Sequence, residues 1–449
     1  EVVLLRGFGY SNVESTKEVQ PENTIFRLGS ISKALTCLAL AKCCEENGID
    51  LNADVFPYVA DLPDSSHRHG PVAFADLLQH KGGFDQIGTG RVFKSASARP
   101  GFLEFLSRDL RTIRPAGQLP CYDTYGPTLA GYAIEQISRI TFDTWMEQRL
   151  FRPAGMDTTF VECPPQLRDE LAVGYGVEDG QLIPMDYEYY STTPASSIDS
   201  TAADMARFMI AILGNGSNPD GRPFSADLAH RVKAMPDRTN SHMPQFTFGF
   251  WEMFRQGNLD RRILQHGGQV DGYSTSLCLV PDEALGIFIA VNRNSETGPP
   301  VTLVEEVPIG IIDRVFPVTP AKWFEEFDPA PVNTQRLAGK YMPNLYCHTR
   351  FEGDGWPPRG RVVSVETVGP GKIRILNDLF LAVDALNFQS PGSQQTVQFH
   401  ERRDGTICGM SYNFRAPGTT YEKLDTELVD EVFGKEKGNE RSPLAALVH

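Results

Sequence analysis

Apolar residues are densest between residues 34 and 47, a stretch rich in Ala, Leu and Cys that Gly48 ends. A helix that is apolar on most sides is a buried helix, so this pattern predicts a core helix. Between residues 205 and 213, apolar positions recur at the i, i+3 and i+4 spacing of another helix, which Ser200-Thr201 would cap. Similar patterns predict helices over 72–80, 101–110, 127–138, 142–150 and 301–315.

Strand patterns begin at residue 262, where short aromatic and β-branched runs replace the helical period. Runs over 263–266, 273–280 and 285–292 are separated by turn residues, among them Gly267-Gly268, and predict an antiparallel meander. Near the start of the chain, residues 2–9 predict one more strand. Helices and antiparallel strands in one region are typical of an α+β fold.

The last third of the chain predicts a second domain. Prolines with acidic residues between them indicate a linker over 317–333, after a first domain over 1–316. Seven short strands with Gly, Pro and Asp turns follow, and they predict a small all-β domain over 334–425, most simply an up-and-down barrel. Residues 426–449 are predicted to be a charged tail.

The composition is that of a soluble globular protein and excludes several kinds of partner. The 449 residues are 41% hydrophobic and 22% charged, and no apolar run reaches the length of a membrane span. The net charge of -15 argues against nucleic acid or an anionic membrane surface as a partner. The sequence leaves the oligomeric state open.

The cysteines and the first residues bear on the compartment. The eight cysteines show no C-x-x-C spacing, which favours buried thiols in a reducing compartment and predicts a cytoplasmic protein. The glycosylation sequon Asn215-Gly216-Ser217 is weak support for the opposite location. Because the chain opens on Glu1 inside an apolar run, we expect the first domain to be truncated at its N-terminus.

Candidate chemistry begins with Ser30 and Lys33, which stand three residues apart at the start of the predicted core helix. Their side chains therefore project from the same face. A lysine kept neutral by burial can take the proton of a serine hydroxyl, and the helix N-terminus offers N–H groups to an anion forming beside it. An S-x-x-K pair also occurs by chance, so this pair needs partners elsewhere in the chain.

Two further motifs supply such partners. Tyr122, in a turn before a predicted helix, can pass a proton between Ser30 and a leaving group, although a packed loop aromatic fits the same position. The run His266-Gly267-Gly268-Gln269 follows a predicted strand, and its glycines allow close approach of a ligand. A backbone N–H after them can serve as an oxyanion donor, although a plain β-turn fits the run as well.

Taken together and in this order, the motifs resemble those of the serine β-lactamase-like hydrolases. This family includes class C β-lactamases, D-alanyl-D-alanine carboxypeptidases, D-aminopeptidases, family VIII esterases and statin-pathway acyltransferases. The resemblance runs from about Gly7 to Asn292 and rests also on residues 77–83, which are similar to the family's L-L-x-H-x-S-G. Segments 115–126, 150–156 and 200–205 complete it.

The resemblance implies an α+β fold of the β-lactamase/transpeptidase type. Such a fold has an antiparallel sheet flanked by helices and a helical subdomain. The all-β domain after the linker resembles the lipocalin-like C-terminal domain of some members. No metal and no cofactor is expected, since no H-E-x-x-H, P-loop or G-x-G-x-x-G motif occurs in the chain.

The resemblance also implies roles for individual residues. Ser30 would be the acylated nucleophile, Lys33 its activating base and Tyr122 the tyrosine of the family's Y-x-N motif, with either Lys33 or Tyr122 as the general base. His266-Gly267-Gly268 occupies the place of the third motif, which is K-T-G in the lactamases. The oxyanion hole would be formed by the backbone N–H groups of Ser30 and Gln269.

Two departures from the family pattern shift the expected substrate. Thr124 stands where lactamases and peptidases usually have an Asn that contacts the acyl side chain, and His266 replaces the Lys that helps bind a carboxylate. A neutral imidazole lacks fixed positive charge, and losing such a charged contact costs on the order of 1.5–3 kcal/mol. Both changes favour an esterase, amidase or acyltransferase. Lys81, where the family often has Ser, has no interpretation.

Three hypotheses follow for the function. The first is a serine hydrolase that forms an acyl-enzyme on Ser30 and acts on an ester or lactone of a small molecule, with an amide as a further candidate. The second is an acyltransferase that passes the same acyl group to a metabolite. The third is a non-catalytic binding protein that keeps the fold, which the presence of Ser30, Lys33 and Tyr122 disfavours.

Overall fold

The computed structural model describes residues 1–63, 69–85, 91–234, 245–255, 258–293, 299–317, 329–343, 362–391, 395–402, 404–412 and 419–424. Most of the predicted linker and the predicted tail lie outside these residues. The α-helices in these ranges are α1 (Ser32–Glu46), α2 (Phe74–Leu78), α3 (Phe102–Asp109), α4 (Tyr125–Ser138), α5 (Phe142–Met146), α6 (Thr193–Ser196), α7 (Ala202–Leu213), α8 (Ala226–Lys233) and α9 (Pro299–Val315).

Strands form a large sheet, a barrel and several small pairings. The first strands are β1 (Tyr10–Asn12), β2 (Lys17–Glu18), β3 (Phe26–Arg27), β4 (Val92–Phe93), β5 (Phe160–Val161), β6 (Tyr175–Glu178), β7 (Gln181–Pro184), β8 (Tyr189–Tyr190) and β9 (Ile198–Ser200). The large sheet contains β10 (Phe246–Thr247), β11 (Phe250–Arg255), β12 (Asn258–Val270), β13 (Tyr273–Val280) and β14 (Leu285–Val291). The barrel contains β15 (Gly339–Pro343), β16 (Val363–Gly369), β17 (Lys372–Ile375), β18 (Asp378–Ala382), β19 (Asn387–Gln389), β20 (Thr396–Glu401), β21 (Ile407–Tyr412) and β22 (Thr419–Lys423).

The large sheet is antiparallel in the order β10-β11-β12-β13-β14 and carries helices on both faces. Leu264 and Leu277 of adjacent strands belong to the main core with the apolar residues of α1 and α7. Their neighbours Ile263 and Cys278 belong instead to a core on the other face, with Ile312 of α9. Alternate residues of each strand therefore bury apolar surface on opposite faces, as the two-residue period of a strand requires.

Helix α1 lies at the centre of this core, as its composition predicts. Its buried residues include Ala34, Cys37 and Ala39 as well as the larger Leu35 and Leu38. The small side chains let neighbouring helices come close, and α1 contacts α2, α4 and α6. The predicted helices over 72–80, 101–110, 127–138 and 201–213 are likewise present as α2, α3, α4 and α7.

The C-terminal strands β15 to β22 form a closed antiparallel barrel of the predicted up-and-down kind. Its interior is filled by apolar and aromatic side chains that point inward from successive strands, among them Ile373, Phe380, Phe388, Phe399 and Met410. The barrel therefore has its own hydrophobic core. The seven predicted strands all have counterparts, and the short strand β19 was missed because a three-residue run carries too little period to recognise.

Two sequence predictions about strands were wrong. Residues 2–9 form no strand, and Val2, Val3 and Leu4 are exposed without a strand partner in the described part of the chain. Gly267-Gly268 is not a turn, because β12 continues through both glycines to Val270 and pairs with β13 over this whole stretch. The chain reverses instead at Asp271-Gly272, where Gly272 has a φ of +83°.

The seven described cysteines are buried free thiols, and Cys347 lies outside the described ranges. None of the helices in these ranges is both long enough and apolar enough to cross a lipid bilayer.

The core position of α1 can be tested by truncating one leucine. Leu40 is fully buried, so Leu40→Ala should lower the free energy of unfolding by about 2–5 kcal/mol, through lost burial and the cavity left behind. Leu103→Ala on α3 is a matched control because that leucine is 41% exposed, and it should change stability by less than about 1 kcal/mol. Chemical denaturation measures both; equal losses would contradict the assigned core.

Candidate active site

Ser30 lies in a 3-10 turn (Gly29–Ile31) that leads directly into α1. The residue before this turn is held from two sides, since Leu28 N–H donates to Ile198 O at 2.9 Å and Thr275 Oγ1 donates to Leu28 O at 2.9 Å. Gly29 has a φ of +55°, a left-handed conformation that glycine adopts without strain. Bonds to β9 and β13 thus fix the position from which Ser30 points outward.

Lys33 lies one turn further along and contacts Ser30. Its Nζ is 3.1 Å from Ser30 Oγ and donates a second hydrogen bond to Ala195 O, also at 3.1 Å. The side chain is 2% exposed, and burial, helped by the positive charge of Arg91, lowers the pKa of Lys33 to about 7. Asp123 opposes this shift. A large fraction of the amine is therefore neutral near pH 7 and able to accept a proton.

Tyr122 completes the group that the sequence predicted. Its hydroxyl is hydrogen-bonded to the Ser30 side chain, and Lys33 Nζ lies 5.1 Å from the centre of its ring. Burial raises the pKa of Tyr122, so the hydroxyl keeps its proton at neutral pH. The structure thus brings Ser30, Lys33 and Tyr122 together, and a partly neutral amine and a protonated phenol both contact the serine side chain.

His80 and Asp123 hold Tyr122 from both sides, and sequence reasoning assigned neither to the site. His80 Nδ1 lies 3.2 Å from both the backbone N and Oδ2 of Asp123, and His80 O accepts from Cys121 N–H at 2.7 Å. Asp123 Oδ1 in turn accepts from Gly126 N–H at the start of α4. The available signal was the histidine of the L-L-x-H-x-S-G-like segment, whose role only the fold reveals.

Strand β12 comes very close to the turn that carries Ser30. A Cβ on Gly268 would lie 1.9 Å from Leu28 O and 2.3 Å from Thr275 Oγ1, so this position tolerates only glycine. Similarly, a Cβ on Gly29 would lie 2.8 Å from the backbone N of Gln269. The backbone N of Gln269 is therefore adjacent to the Ser30 turn, where an oxyanion donor is expected, while the Gln269 side chain is exposed.

His266 lies beneath this edge and is fully buried. Its Nδ1 is 2.6 Å from Gly267 O, and because a carbonyl oxygen only accepts, Nδ1 carries the hydrogen. Burial, reinforced by the Lys33 charge, lowers the pKa of His266 to about 3, so the ring is neutral. Its Nε2 therefore presents a lone pair, and that atom is buried without a hydrogen-bond partner among the described residues.

The surroundings of His266 are aromatic. Its ring centroid lies 6.0 Å from that of Tyr122 and 5.6 Å from that of Trp251, and Trp251 lies 5.5 Å from Tyr122. Thr124 lies two residues after Tyr122, at the N-cap position of α4, and is half-buried. Its side chain makes no capping hydrogen bond to the helix. Among the predicted binding positions, His266 is thus enclosed, whereas Thr124 and Gly267 are partly accessible.

Arg91 supplies positive charge at the edge of the site, and no sequence motif pointed to this residue. The residue is exposed, and its carbonyl accepts from Ser191 N–H at 2.9 Å, beside the pairing of β4 with β8. Its charge lowers the pKa of Lys33 and acts in the same direction on Tyr122. The pKa values of Lys33 and Tyr122 therefore both depend on a cation about 60 residues away from Lys33 in sequence.

The structure thus combines an antiparallel sheet flanked by helices with a serine, a lysine and a tyrosine in contact. The Beta-lactamase family model matches residues 1–305, and the chain therefore belongs to that family. Membership supports a serine hydrolase or acyl-transfer enzyme that works through an acyl-enzyme. The resemblance inferred from the motifs is confirmed.

Several known proteins are similar to the chain. "Putative beta-lactamase-like 1" of Homo sapiens is 27% identical over 321 residues, which are 67% of this chain but only 60% of that protein. "Beta-lactamase" of Yersinia enterocolitica is 23% identical over 64% of this chain and 78% of its own length. "Unguisins hydrolase ungD'" of Aspergillus campestris is 23% identical over 77% of this chain and 70% of its own length.

A solved structure supports the fold of nearly the whole chain. The octameric penicillin-binding protein homologue from Pyrococcus abyssi aligns with a TM-score of 0.59 at 19% identity, covering 94% of this chain and 93% of that one. Together with the family match, this confirms the predicted α+β fold of the β-lactamase/transpeptidase type.

Removing the Arg91 charge should shift the pH dependence of activity. Because that charge lowers the pKa of Lys33, Arg91→Gln should raise it and move the acidic limb of kcat/KM for an ester, near pH 7 in the parent, upward by roughly 0.3–1 unit. The shift should shrink at high salt, since Arg91 is exposed. Initial rates between pH 5 and 9 measure it.

Lys94→Gln provides the matched control for this experiment. Lys94 is an exposed cation three residues further along, and its Nζ lies 3.5 Å from Glu188 Oε1. Loss of the Lys94 charge should leave the acidic limb of the kcat/KM profile at the same pH as in the parent. A limb that is the same in the Arg91→Gln variant and the parent would contradict the electrostatic coupling of Arg91 to the titrating base.

Proposed function

We propose that the protein is a serine hydrolase that forms an acyl-enzyme on Ser30 and releases it to water, acting on an ester or lactone of a small molecule. The observation that carries this proposal is the contact of 3.1 Å between Lys33 Nζ and Ser30 Oγ, with the pKa of Lys33 lowered to about 7. A serine needs a base to become a nucleophile, and a neutral buried amine is such a base.

The proposed reaction assigns one task to each residue. Lys33 takes the Ser30 proton while Oγ attacks the substrate carbonyl, and the backbone N–H groups of Ser30 and Gln269 stabilise the negative oxygen. Tyr122, whose hydroxyl bonds to Ser30, gives a proton to the leaving oxygen, and the proton held by Lys33 replaces it. Water then attacks the acyl-enzyme and restores Ser30.

His266 supports a substrate without a carboxylate at this end of the site. With its Nδ1 hydrogen engaged by Gly267 O, the ring is neutral and buried, so this end of the site lacks the fixed positive charge that the K-T-G pattern offers to a carboxylate. Because residue 124 is Thr and not Asn, the side-chain amide of the lactamase pattern is also absent at this position. Esters and lactones have better leaving groups than amides, so they are the substrates we favour.

An acyltransferase is the second candidate, and it would use the same acyl-enzyme. The ring of Tyr122 lies 6.4 Å from Phe246 and 5.5 Å from Trp251, and an apolar surface beside the leaving group disfavours water as the acceptor. Adding increasing concentrations of an alcohol during ester turnover discriminates between the two. A product that is mostly the new ester would favour transfer, and mostly free acid would favour hydrolysis.

The proposal predicts a covalent adduct on Ser30. Short-chain p-nitrophenyl esters should give turnover and an acyl mass on the peptide that contains Ser30, and Ser30→Ala should lower kcat on the order of 10⁴-fold or more. Ser97→Ala, which changes an exposed serine, should behave like the parent. If the parent shows neither turnover nor an adduct with these esters, a β-lactam and a D-amino-acid amide, the proposed function is wrong.

Substrate preference should depend on the charge at position 266. His266→Lys would place a cation where the parent has a lone pair, so the ratio of kcat/KM for a carboxylate-bearing ester to that for its neutral analogue should rise about 10- to 100-fold. His266→Gln stays neutral and should leave this ratio within a few-fold of the parent. A parent that already prefers the carboxylate-bearing ester would contradict the assignment.

A further inference from the structure

Residues 113–121, which we call the strap, directly precede Tyr122 in the chain. On one side it is bonded to the loop that carries His80: Ile113 N–H donates to Gly83 O, Gly117 N–H to Lys81 O and Cys121 N–H to His80 O, all between 2.7 and 2.9 Å. The strap therefore has one face fixed by the catalytic domain.

The other face of the strap contacts the barrel. Thr420 Oγ1 donates a hydrogen bond to Pro120 O, two residues before Tyr122. Leu119 is 3% exposed and packs against Gly409 of β21, where an added Cβ would lie 3.1 and 3.2 Å from its two methyl groups. The barrel thus covers the strap by direct contact of strands β21 and β22.

An ion pair that is buried on the arginine side and partly exposed on the glutamate side also connects the strap to the barrel. Arg114 of the strap is 7% exposed, and its guanidinium lies 3.2 Å from Glu422 Oε2 of β22. Burial alone would lower the pKa of Arg114, but the neighbouring Cys121 thiol and the Glu422 carboxylate together raise it. Arg114 therefore links a barrel carboxylate to the residue that immediately precedes Tyr122.

We propose that the barrel positions Tyr122 for proton transfer, with Glu422 and Thr420 as positioning residues. The inference rests on the proposed function, because Tyr122 needs accurate placement only if it transfers a proton. Removing Glu422 leaves the Arg114 charge buried without its carboxylate, and the strap then shifts to let water reach the guanidinium. A displacement of about 1 Å at a reacting group can lower a rate by up to about 100-fold.

The test uses the full chain and two conservative variants, Glu422→Gln and Thr420→Val. We expect kcat for a p-nitrophenyl ester to fall on the order of 10-fold in each, with KM within about two-fold of the parent. Glu422→Asp, which keeps the charge, should recover part of the loss. Glu401→Gln is the matched control, since Glu401 pairs with Arg336 at 2.9 Å elsewhere on the barrel, and it should leave kcat unchanged.

A second measurement reports on the conformation of the strap and does not require enzymatic activity. Hydrogen exchange of the Cys121 amide, which bonds to His80 O, should become faster in Glu422→Gln and Thr420→Val, while amides in the middle of α1 keep the parent rate. Faster exchange together with parent-like kcat would overturn the positioning role. Unchanged exchange together with unchanged kcat would also overturn the positioning role.

The two proposals fail in different ways. If the parent hydrolyses no ester, the proposed function fails by itself, and the exchange rates still decide whether the barrel holds the strap. A variant that loses the whole fold would lose protection in α1 as well as in the strap. In that case Thr420→Val, which keeps the Arg114–Glu422 pair, decides the question.

Discussion

A lysine amine enclosed in the protein core is the feature on which the site depends. Lys33 can act as a base only because burial lowers its pKa to about 7 from an ordinary 10.5. Since the unfolded chain binds this proton more strongly, Lys33 lowers the stability of the fold below pH 7, and the loss is relieved as the pH rises toward 10.5. The rest of the core must compensate for this cost, and the buried apolar residues of α1 contribute to it.

The charges around the amine favour its neutral form. His266 is neutral and Arg91 is cationic, so neither offers Lys33 a negative partner, whereas Asp123 is engaged by His80 and Gly126. A buried ion pair lies instead beside the strand that precedes the Ser30 turn. The guanidinium of Arg27 lies 3.6 Å from Asp199 Oδ1 and 4.0 Å from the centre of the Tyr187 ring, and both partners are distant from Arg27 in sequence.

Local geometry explains how much of the site could be predicted from the sequence. The three-residue spacing of Ser30 and Lys33 determines their proximity once a helix forms, and the composition of 34–47 predicts that helix. By contrast, Gly267-Gly268 carries the same local signal in a turn and in a strand. In the structure the two glycines pair with β13, and Gly268 also lies against Leu28 O, a contact between residues about 240 positions apart that no local pattern encodes.

The barrel is a second case in which a local sequence pattern predicts the strands but not their contacts with the rest of the protein. Its strands alternate clearly enough to be recognised, but nothing in that alternation indicates which outward face is covered. Thr420 and Glu422 stand on a strand whose inward neighbours fill the barrel, and their partners Pro120 and Arg114 lie in an irregular segment. Because the segment has few regular backbone bonds of its own, its conformation is set by what packs on each side. The geometry around Tyr122 is therefore a joint product of both domains.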